Sequence, residues 1–246
     1  MSACNRPLVT AHSGCENSVT NSLASVLAGI QAQADVVEID IRSSLDLRPV
    51  LHHDPCITNS QGHMLTIAEH PYKSIKTFVE QDDKTYTSLE EVMEIVQDQQ
   101  CILNIDLKDI NSIAYIRKAI HDFNLFDSVI ISGCEYDWAK QITKSFPNLQ
   151  VLLNVYMNSS ITEDEQYDSF MHTICREAIE VGSCGLNIDY AMCTEALVSY
   201  AKKRFLPVSV WTVDSDEDML SMLEQGVFSI TTYRPKRLIE LMKRLA

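Results

Sequence analysis

Two short runs in the 246-residue sequence alternate polar and apolar residues. In Val36-Val-Glu-Ile-Asp-Ile41, Glu38 and Asp40 alternate with Val37, Ile39 and Ile41. In Leu103-Asn-Ile-Asp-Leu-Lys108, Asn104, Asp106 and Lys108 alternate with Leu103, Ile105 and Leu107. Side chains on a β-strand point to opposite faces in turn, so each run gathers its polar residues on one face. If both strands line one barrel, Glu38, Asp40 and Asp106 converge at one end of it. Carboxylates buried there have to be paired, protonated or bound to a metal, because burying bare charge is costly. An all-oxygen set suits a hard divalent cation, Mg²⁺, Ca²⁺ or Mn²⁺, rather than zinc. The same residues equally fit a structural ion-pair network with Lys108, and these two runs alone leave both readings open.

Two histidines stand where they could act beside such a cluster. His12 ends the strand-like run that starts at Leu8, and His53 ends the short segment Val50-Leu-His-His-Asp54. Imidazole titrates near neutral pH, so two histidines next to carboxylates suit a general acid and a general base. His52, His63, His70, His121 and His172 lack that setting and read as structural.

Positioning these groups requires parallel strands. Short apolar, β-branched runs read as strands near Leu8–His12, Val36–Ile41, Cys101–Leu107, Ser128–Ser132, Val151–Tyr156, Gly185–Asp189, Val208–Val213 and Phe228–Thr231. Helical periodicity falls between them, at Asn21–Ala34, Ser88–Gln99, Ser112–Phe123, Tyr136–Ser145, Asp164–Val181, Thr194–Arg204, Asp216–Gln225 and Pro235–Leu245. Ser88-Leu-Glu-Glu91 has the form of a capping box. Eight strands alternating with helices predict an α/β fold, a single (β/α)8 (TIM) barrel spanning residues 1–246. An open doubly wound sheet is the rival, but no G-x-G-x-x-G follows the first strand. Pro55 to Thr87 breaks the rhythm and reads as a small, irregular insertion after the second strand, an active-site cover or small subdomain.

Composition narrows the function. The sequence is 46% hydrophobic and carries 20 Lys plus Arg against 34 Asp plus Glu, a formal charge of −14. That balance disfavours nucleic acid and anionic lipid as partners. It leaves anionic small molecules open, since a bound cation reverses the local field. None of the eight cysteines, Cys4 among them, forms a C-x-x-C pair. No apolar run approaches the roughly 18 residues of a membrane span, and Met1 to Gly14 lacks the apolar core of a signal peptide. A cytoplasmic protein with free thiols is expected.

The motifs also resemble, in order, those of the glycerophosphodiester phosphodiesterase family. Ala11-His-Ser-Gly14, Asn21-Ser-Leu-Ala24, Ala34-Asp-Val-Val-Glu-Ile-Asp40 and Pro49-Val-Leu-His-His-Asp-Pro55 look like its opening H-R-G, E-N-T-L, G-A-D-x-I-E-x-D and V-x-x-H-D. Asn104-Ile-Asp-Leu-Lys108 resembles its E-x-K. Val210-Trp-Thr-Val-Asp214 resembles V-W-T-V-N, and Gly226 to Pro235 resembles G-V-D-G-I-I-T-D-x-P.

The resemblance implies metal-dependent hydrolysis of small glycerophosphodiesters to glycerol 3-phosphate and an alcohol. It implies one divalent ion on Glu38, Asp40 and Asp106, with His12 and His53 as acid and base. Lys108 would contact phosphate, and Trp211 would pack on the substrate's carbon skeleton. A lysophospholipase D-type activity on the same site and a non-catalytic phosphodiester-binding or regulatory barrel protein are the alternatives. The sequence departs from the pattern at several positions. Ser13 replaces a phosphate-contacting Arg, a loss of charge that Arg42 could supply. Thr20 replaces Glu, Asp106 stands for Glu, Asp214 for Asn and Thr232 for Asp.

Overall fold

The computed structural model describes residues 6–82, 85–156 and 164–245. Cys4, and residues 83–84 inside the insertion, lie outside this set.

Alternation dictates the architecture. The chain runs β1 (Leu8–Ala11), α1 (Leu23–Gln31), β2 (Val36–Ser43), β3 (Pro49–Leu51), β4 (Cys56–Thr58), β5 (Met64–Thr66), α2 (Tyr72–Glu80) and α3 (Leu89–Gln99). It continues through β6 (Ile102–Leu107), α4 (Ile113–Asp122), β7 (Val129–Cys134), α5 (Tyr136–Ser145), β8 (Gln150–Val155), α6 (Asp164–Glu180) and β9 (Gly185–Asp189). Then come α7 (Glu195–Lys203), β10 (Val208–Trp211), α8 (Asp216–Gln225), β11 (Ser229–Thr232) and α9 (Pro235–Leu245). Among the described residues, β1, β2 and β6 to β11 form eight parallel strands, and pairing of β1 with both β11 and β2 closes the ring. This is a (β/α)8 barrel, with β3 antiparallel on β2 outside the ring.

The apolar residues of each strand pack outward. Val37, Ile39, Ile41, Leu103, Ile105 and Leu107 are buried in one core with the helix faces. The opposite residues of the same strands point inward, and many are polar. Thr10 bonds Ser229 at 2.9 Å and Asn187 donates to Asn154 at 3.2 Å across neighbouring strands. Register fixes the site: Asp40 lies directly beside Asp106, and Glu38 beside Asn104.

Helix boundaries follow capping. The capping box at Ser88 is formed with Glu91. The first helix begins at Leu23 rather than at Asn21, because Ser22 caps it and accepts from Ser25 N. Asn21 instead takes a left-handed backbone, φ 53°.

The segment after β3 is less irregular than its sequence suggests. β4 and β5 form a hairpin, and α2 follows. Val50, Ile57, Leu65, Ile67, Tyr72 and Ile75 make a second, separate hydrophobic cluster. Three-residue strands are too short to show an alternation, which hides them in the sequence. Arg48 ties this unit to the barrel. Its guanidinium stacks 3.9 Å over the Tyr72 ring and donates to Tyr115 Oη at 3.2 Å, and Tyr115 donates to Glu90 at 2.6 Å. No helix among the described residues is long and apolar enough to cross a membrane.

Candidate active site

In a barrel the C-terminal ends of the strands carry the chemistry, and here they bring the predicted residues together. Ligand atoms of Glu38, Asp40 and Asp106 all lie within 4.8 Å of one another. Lys108 sits among them, its Nζ 3.0 Å from Asp40 Oδ1 and 2.7 Å from Asp106 Oδ2. The ion-pair network therefore exists, but one ammonium cannot balance three carboxylates. Burial first, then the charges of Asp106 and Asp40, push the Glu38 carboxyl well above the ordinary carboxylate range, with Lys108 opposing them. Burial alone would lower the Lys108 ammonium, but Asp106 and Asp40 outweigh it and raise it.

These residues fit a divalent cation. All the donors are hard oxygens. Asp40 Oδ1 is buried without a directed hydrogen bond, although the Lys108 charge is nearby. A cation would favour the ionised form of Glu38 that burial now opposes.

Two of the three carboxylates, Asp40 and Asp106, have a local support. Asn21 brackets Asp40: its Nδ2 donates to Asp40 Oδ2 at 2.9 Å and its Oδ1 accepts from Asp40 N at 2.8 Å. Ser13, fully buried, accepts from Asn21 N through Oγ at 2.6 Å. Ser13 thus holds the loop that holds Asp40. Asp106 accepts from Ser132 Oγ at 3.3 Å. Gly133 follows with φ +75°, where any Cβ would collide with Asp106 Oδ1 and Leu107 O. Glycine is required there by both conformation and space. The roles of Asn21 and Gly133 are absent from the sequence reading.

His12 is oriented from two sides. Its Nδ1 lies 3.0 Å from Ser13 O, which can only accept, so that nitrogen carries the proton. Nε2 is then free and faces Glu38 Oε1 at 3.8 Å. The ring also packs on Tyr233, centroids 4.2 Å apart. His53 is more exposed, with Nδ1 2.8 Å from Asp54 Oδ1. That bond holds the Asp54 carboxyl below its usual range. Arg42 donates through Nε to His53 O at 2.8 Å and lies 3.5 Å from Lys108 O, so it braces the backbone on both sides. His52 turns its Nδ1 onto the backbone of Asp54.

Trp211 ends β10, with Tyr156 edge-on at 5.7 Å and its Nε1 buried without a partner. Strands β8 and β10 flank β9, which lies opposite β2 in the ring, so this aromatic pair stands across the barrel from Glu38 and Asp40. Two departures in the sequence turn out to be one pair: Thr232 Oγ1 donates to Asp214 Oδ1 at 2.9 Å. Asp214 also accepts from Tyr233 N at 2.9 Å, which steadies the ring against His12.

A cavity of about 860 Å³ opens onto His12, Asp40 and His53. It extends between the first turn of α1 and the insertion, past Leu23, Val50, Leu51, Ile57, Phe78 and Tyr86.

Fold and site together define a class, (β/α)8 barrels with a carboxylate cluster at the mouth that could hold a metal ion. Comparison with known proteins gives the family: the chain belongs to the glycerophosphoryl diester phosphodiesterase family, whose model matches residues 12–237. This is a family of phosphoric diester hydrolases, typically metal-dependent. A glycerophosphodiester phosphodiesterase of Caldanaerobacter subterraneus subsp. tengcongensis is 26% identical over 97% of this chain and 99% of its own. Among solved structures, an Oleispira antarctica phosphodiesterase in complex with the product sn-glycerol-3-phosphate superposes with a TM-score of 0.79. It is 22% identical, with 97% of each chain covered. A glycerophosphodiester phosphodiesterase from Parabacteroides distasonis gives a TM-score of 0.78 at 21% identity, covering 98% of this chain and 99% of the other.

Proposed function

We propose that this chain hydrolyses glycerol phosphodiesters to glycerol 3-phosphate and an alcohol. The observation that carries the reading is the cluster of Glu38, Asp40 and Asp106 at the barrel mouth, with Lys108 inside it and His12 beside it. These three carboxylates would hold one divalent ion, Mg²⁺ or Ca²⁺, with Mn²⁺ as a further candidate. When bound, the ion would polarise the phosphoryl centre and offset charge on its oxygens.

The chain's own residues supply the rest. Lys108 contributes a fixed ammonium toward phosphate. With the proton on Nδ1, His12 Nε2 can accept a proton or, once charged, return it. His53, oriented by Asp54, is its partner in acid–base exchange. One imidazole takes the proton from the attacking oxygen as the new P–O bond forms. The attacking oxygen is that of a water molecule. The other imidazole, protonated at the start, gives its proton to the departing alcohol as the old P–O bond breaks. Proton exchange with solvent then returns both imidazoles to their starting states. Trp211 and Tyr156 offer an apolar wall across the mouth for the substrate's carbon skeleton. Ser13 and Arg42 contribute by fixing the loops that carry Asn21 and His53. The free thiols of the seven described cysteines suit a reducing compartment, and we assign the cytoplasm.

The test is turnover of glycerophosphocholine before and after exhaustive chelation, with Mg²⁺, Ca²⁺ or Mn²⁺ returned singly. Activity should vanish on chelation and return with at least one ion. His12→Ala and His53→Ala should each lose about 10²–10⁴ in rate with folding intact. Full activity after chelation would refute the metal assignment. A folded, metal-loaded protein with no turnover would favour a binding barrel instead.

A further inference from the structure

We propose that Tyr233 is a positioning residue for catalysis: its ring lies on the His12 imidazole and keeps Nε2 aimed at the carboxylate cluster. The proposal rests on the hydrolytic reading above and adds a residue to its machinery. His12 needs such a contact. An imidazole rotates about its side-chain torsions, and the bond from Nδ1 to Ser13 O, 3.0 Å long, leaves the ring free to rock about that one point. On the other side Nε2 stands 3.8 Å from Glu38 Oε1, beyond hydrogen-bond range. The Tyr233 ring supplies a second restraint, with centroids 4.2 Å apart and planes tilted by 36°.

What fixes Tyr233 is its backbone. Its N–H donates to Asp214 Oδ1 at 2.9 Å, and its carbonyl accepts from Glu16 N at 2.9 Å. Thr232, one residue earlier, donates its hydroxyl to the same Asp214 oxygen, and its carbonyl accepts from His12 N at 3.0 Å. The backbone that bears the imidazole and the backbone that bears the phenol are thus tied to each other. The ring itself is less confined. Tyr233 is 40% exposed and lines both the cavity at the mouth and a second cavity of about 450 Å³, edged by Glu16, Arg234 and Arg237. A ring bordered by two cavities contributes through what it touches rather than by filling a core.

The face of the ring, not its hydroxyl, is the working part. Burial first, then the charges of Glu38 and Asp40, hold the phenol above its ordinary value of 10, with Lys108 opposing them. The hydroxyl therefore stays neutral near pH 7 and adds no charge to the site. Tilted aromatic rings at this separation attract one another, so the phenol ring favours one imidazole pose over others. The placement matters because misplacing a reacting group by about 1 Å costs on the order of 10² in rate. Tyr233 belongs to neither hydrophobic cluster, so its variants should fold.

The experiment measures steady-state kinetics on glycerophosphocholine, with divalent ion supplied, for Tyr233→Phe, Tyr233→Leu and Tyr233→Ala. In the leucine and alanine variants kcat should fall about 10–100-fold with KM within about threefold, and the phenylalanine variant should recover most of kcat. Asp214→Ala frees the Tyr233 backbone, so it should lose part of the same kcat and lose nothing further once Tyr233 is alanine. A second readout needs no turnover. Nitrogen NMR at a pH where imidazole is neutral, with His12 assigned by its absence in His12→Gln, should place the proton on Nδ1 in wild type and in Tyr233→Phe. In Tyr233→Ala the two His12 nitrogens should move toward the averaged shifts of mixed tautomers. Those NMR shifts in a protein that hydrolyses no ester would overturn the hydrolytic reading and keep the ring contact. Unchanged kcat in Tyr233→Ala, an effect confined to KM, a phenylalanine variant as slow as alanine, or His12 shifts indifferent to Tyr233→Ala would each overturn the positioning role.

Discussion

The barrel and its insertion are built on different principles. In the barrel, each strand has an apolar face buried in one large cluster against helices, and a polar face lining the interior. In the insertion, strands of three residues and one nine-residue helix enclose a cluster of six buried side chains. The barrel holds the carboxylates by register, through strands paired on both edges. The insertion follows the loop that carries His53 and forms one wall of the cavity, and much of its attachment runs through Arg48 and Asp46. Rigid parts thus hold the charge, while a smaller, more easily opened unit borders the side where substrate would enter.

That contrast can be broken in graded steps. The largest effect should come from the barrel's charge cluster. Asp106→Asn removes one acidic oxygen set while the neighbouring strands stay paired. Losing several kcal/mol of metal-assisted stabilisation corresponds to about 10³-fold or more in kcat, with a Tm close to wild type. Equal loss of both activity and folding would mean that the site and the barrel core are not separable. Next is Ile105→Ala, fully buried in the outward-facing core. It should cost about 2–5 kcal/mol in global stability, read as a lower denaturant midpoint with unchanged slope.

A smaller and more local effect is expected from Arg48→Ala. Losing its stacking on Tyr72 and its bond to Tyr115 should weaken the insertion by about 1 kcal/mol. Amide exchange in β4, β5 and α2 should then quicken roughly fivefold, with β6 and β7 unaffected. Acceleration across all strands alike would show that the two regions unfold as one.

The smallest effect concerns Asp46, which accepts from Ser44 Oγ and from Tyr72 N, both at 2.7 Å. The Ser44 hydroxyl, then the Tyr72 amide, hold its carboxyl below the usual 3.8. A lowered acid adds stability that is complete above its unfolded value and fades as pH falls through the lower folded one. Asp46→Asn should speed exchange at the start of α2 by no more than about twofold near neutrality. The difference from wild type should begin to shrink as pH falls below 3.8 and vanish once it has passed the lower folded value. A difference that persists in acid would mean the side chain acts by shape rather than charge.

The two regions also differ in how well the sequence displays them. Eight strands and their helices show as alternation and helical period, and α5, α8 and α9 begin and end where the pattern changes. Glu38, Asp40, Asp106 and Lys108 were legible because a two-residue period assigns faces without knowledge of the fold. β4 and β5 were not, since three residues cannot establish a period. Nor was the bracket of Asn21 on Asp40, a contact made by a loop residue 19 positions away. The placement of Ser13 was hidden for the same reason. Its residue type suggested a weakened phosphate contact, whereas its hydroxyl is engaged by Asn21 N inside the protein.

The Thr232–Asp214 bond bears on how this sequence could have diverged. The family pattern has Asp and Asn at these two positions, so two substitutions separate the pairs. Changing Asn to Asp first would set two carboxylates face to face where the oxygens now stand 2.9 Å apart, and like charges at that range disfavour ionisation of both. Changing Asp to Thr first leaves a hydroxyl donating to an amide oxygen, a neutral bond of the same shape. Only the second order keeps the contact intact at every step. The path between the two sequences therefore has a direction of least resistance, and a reversion at Thr232 alone should be tolerated less well than one at Asp214 alone.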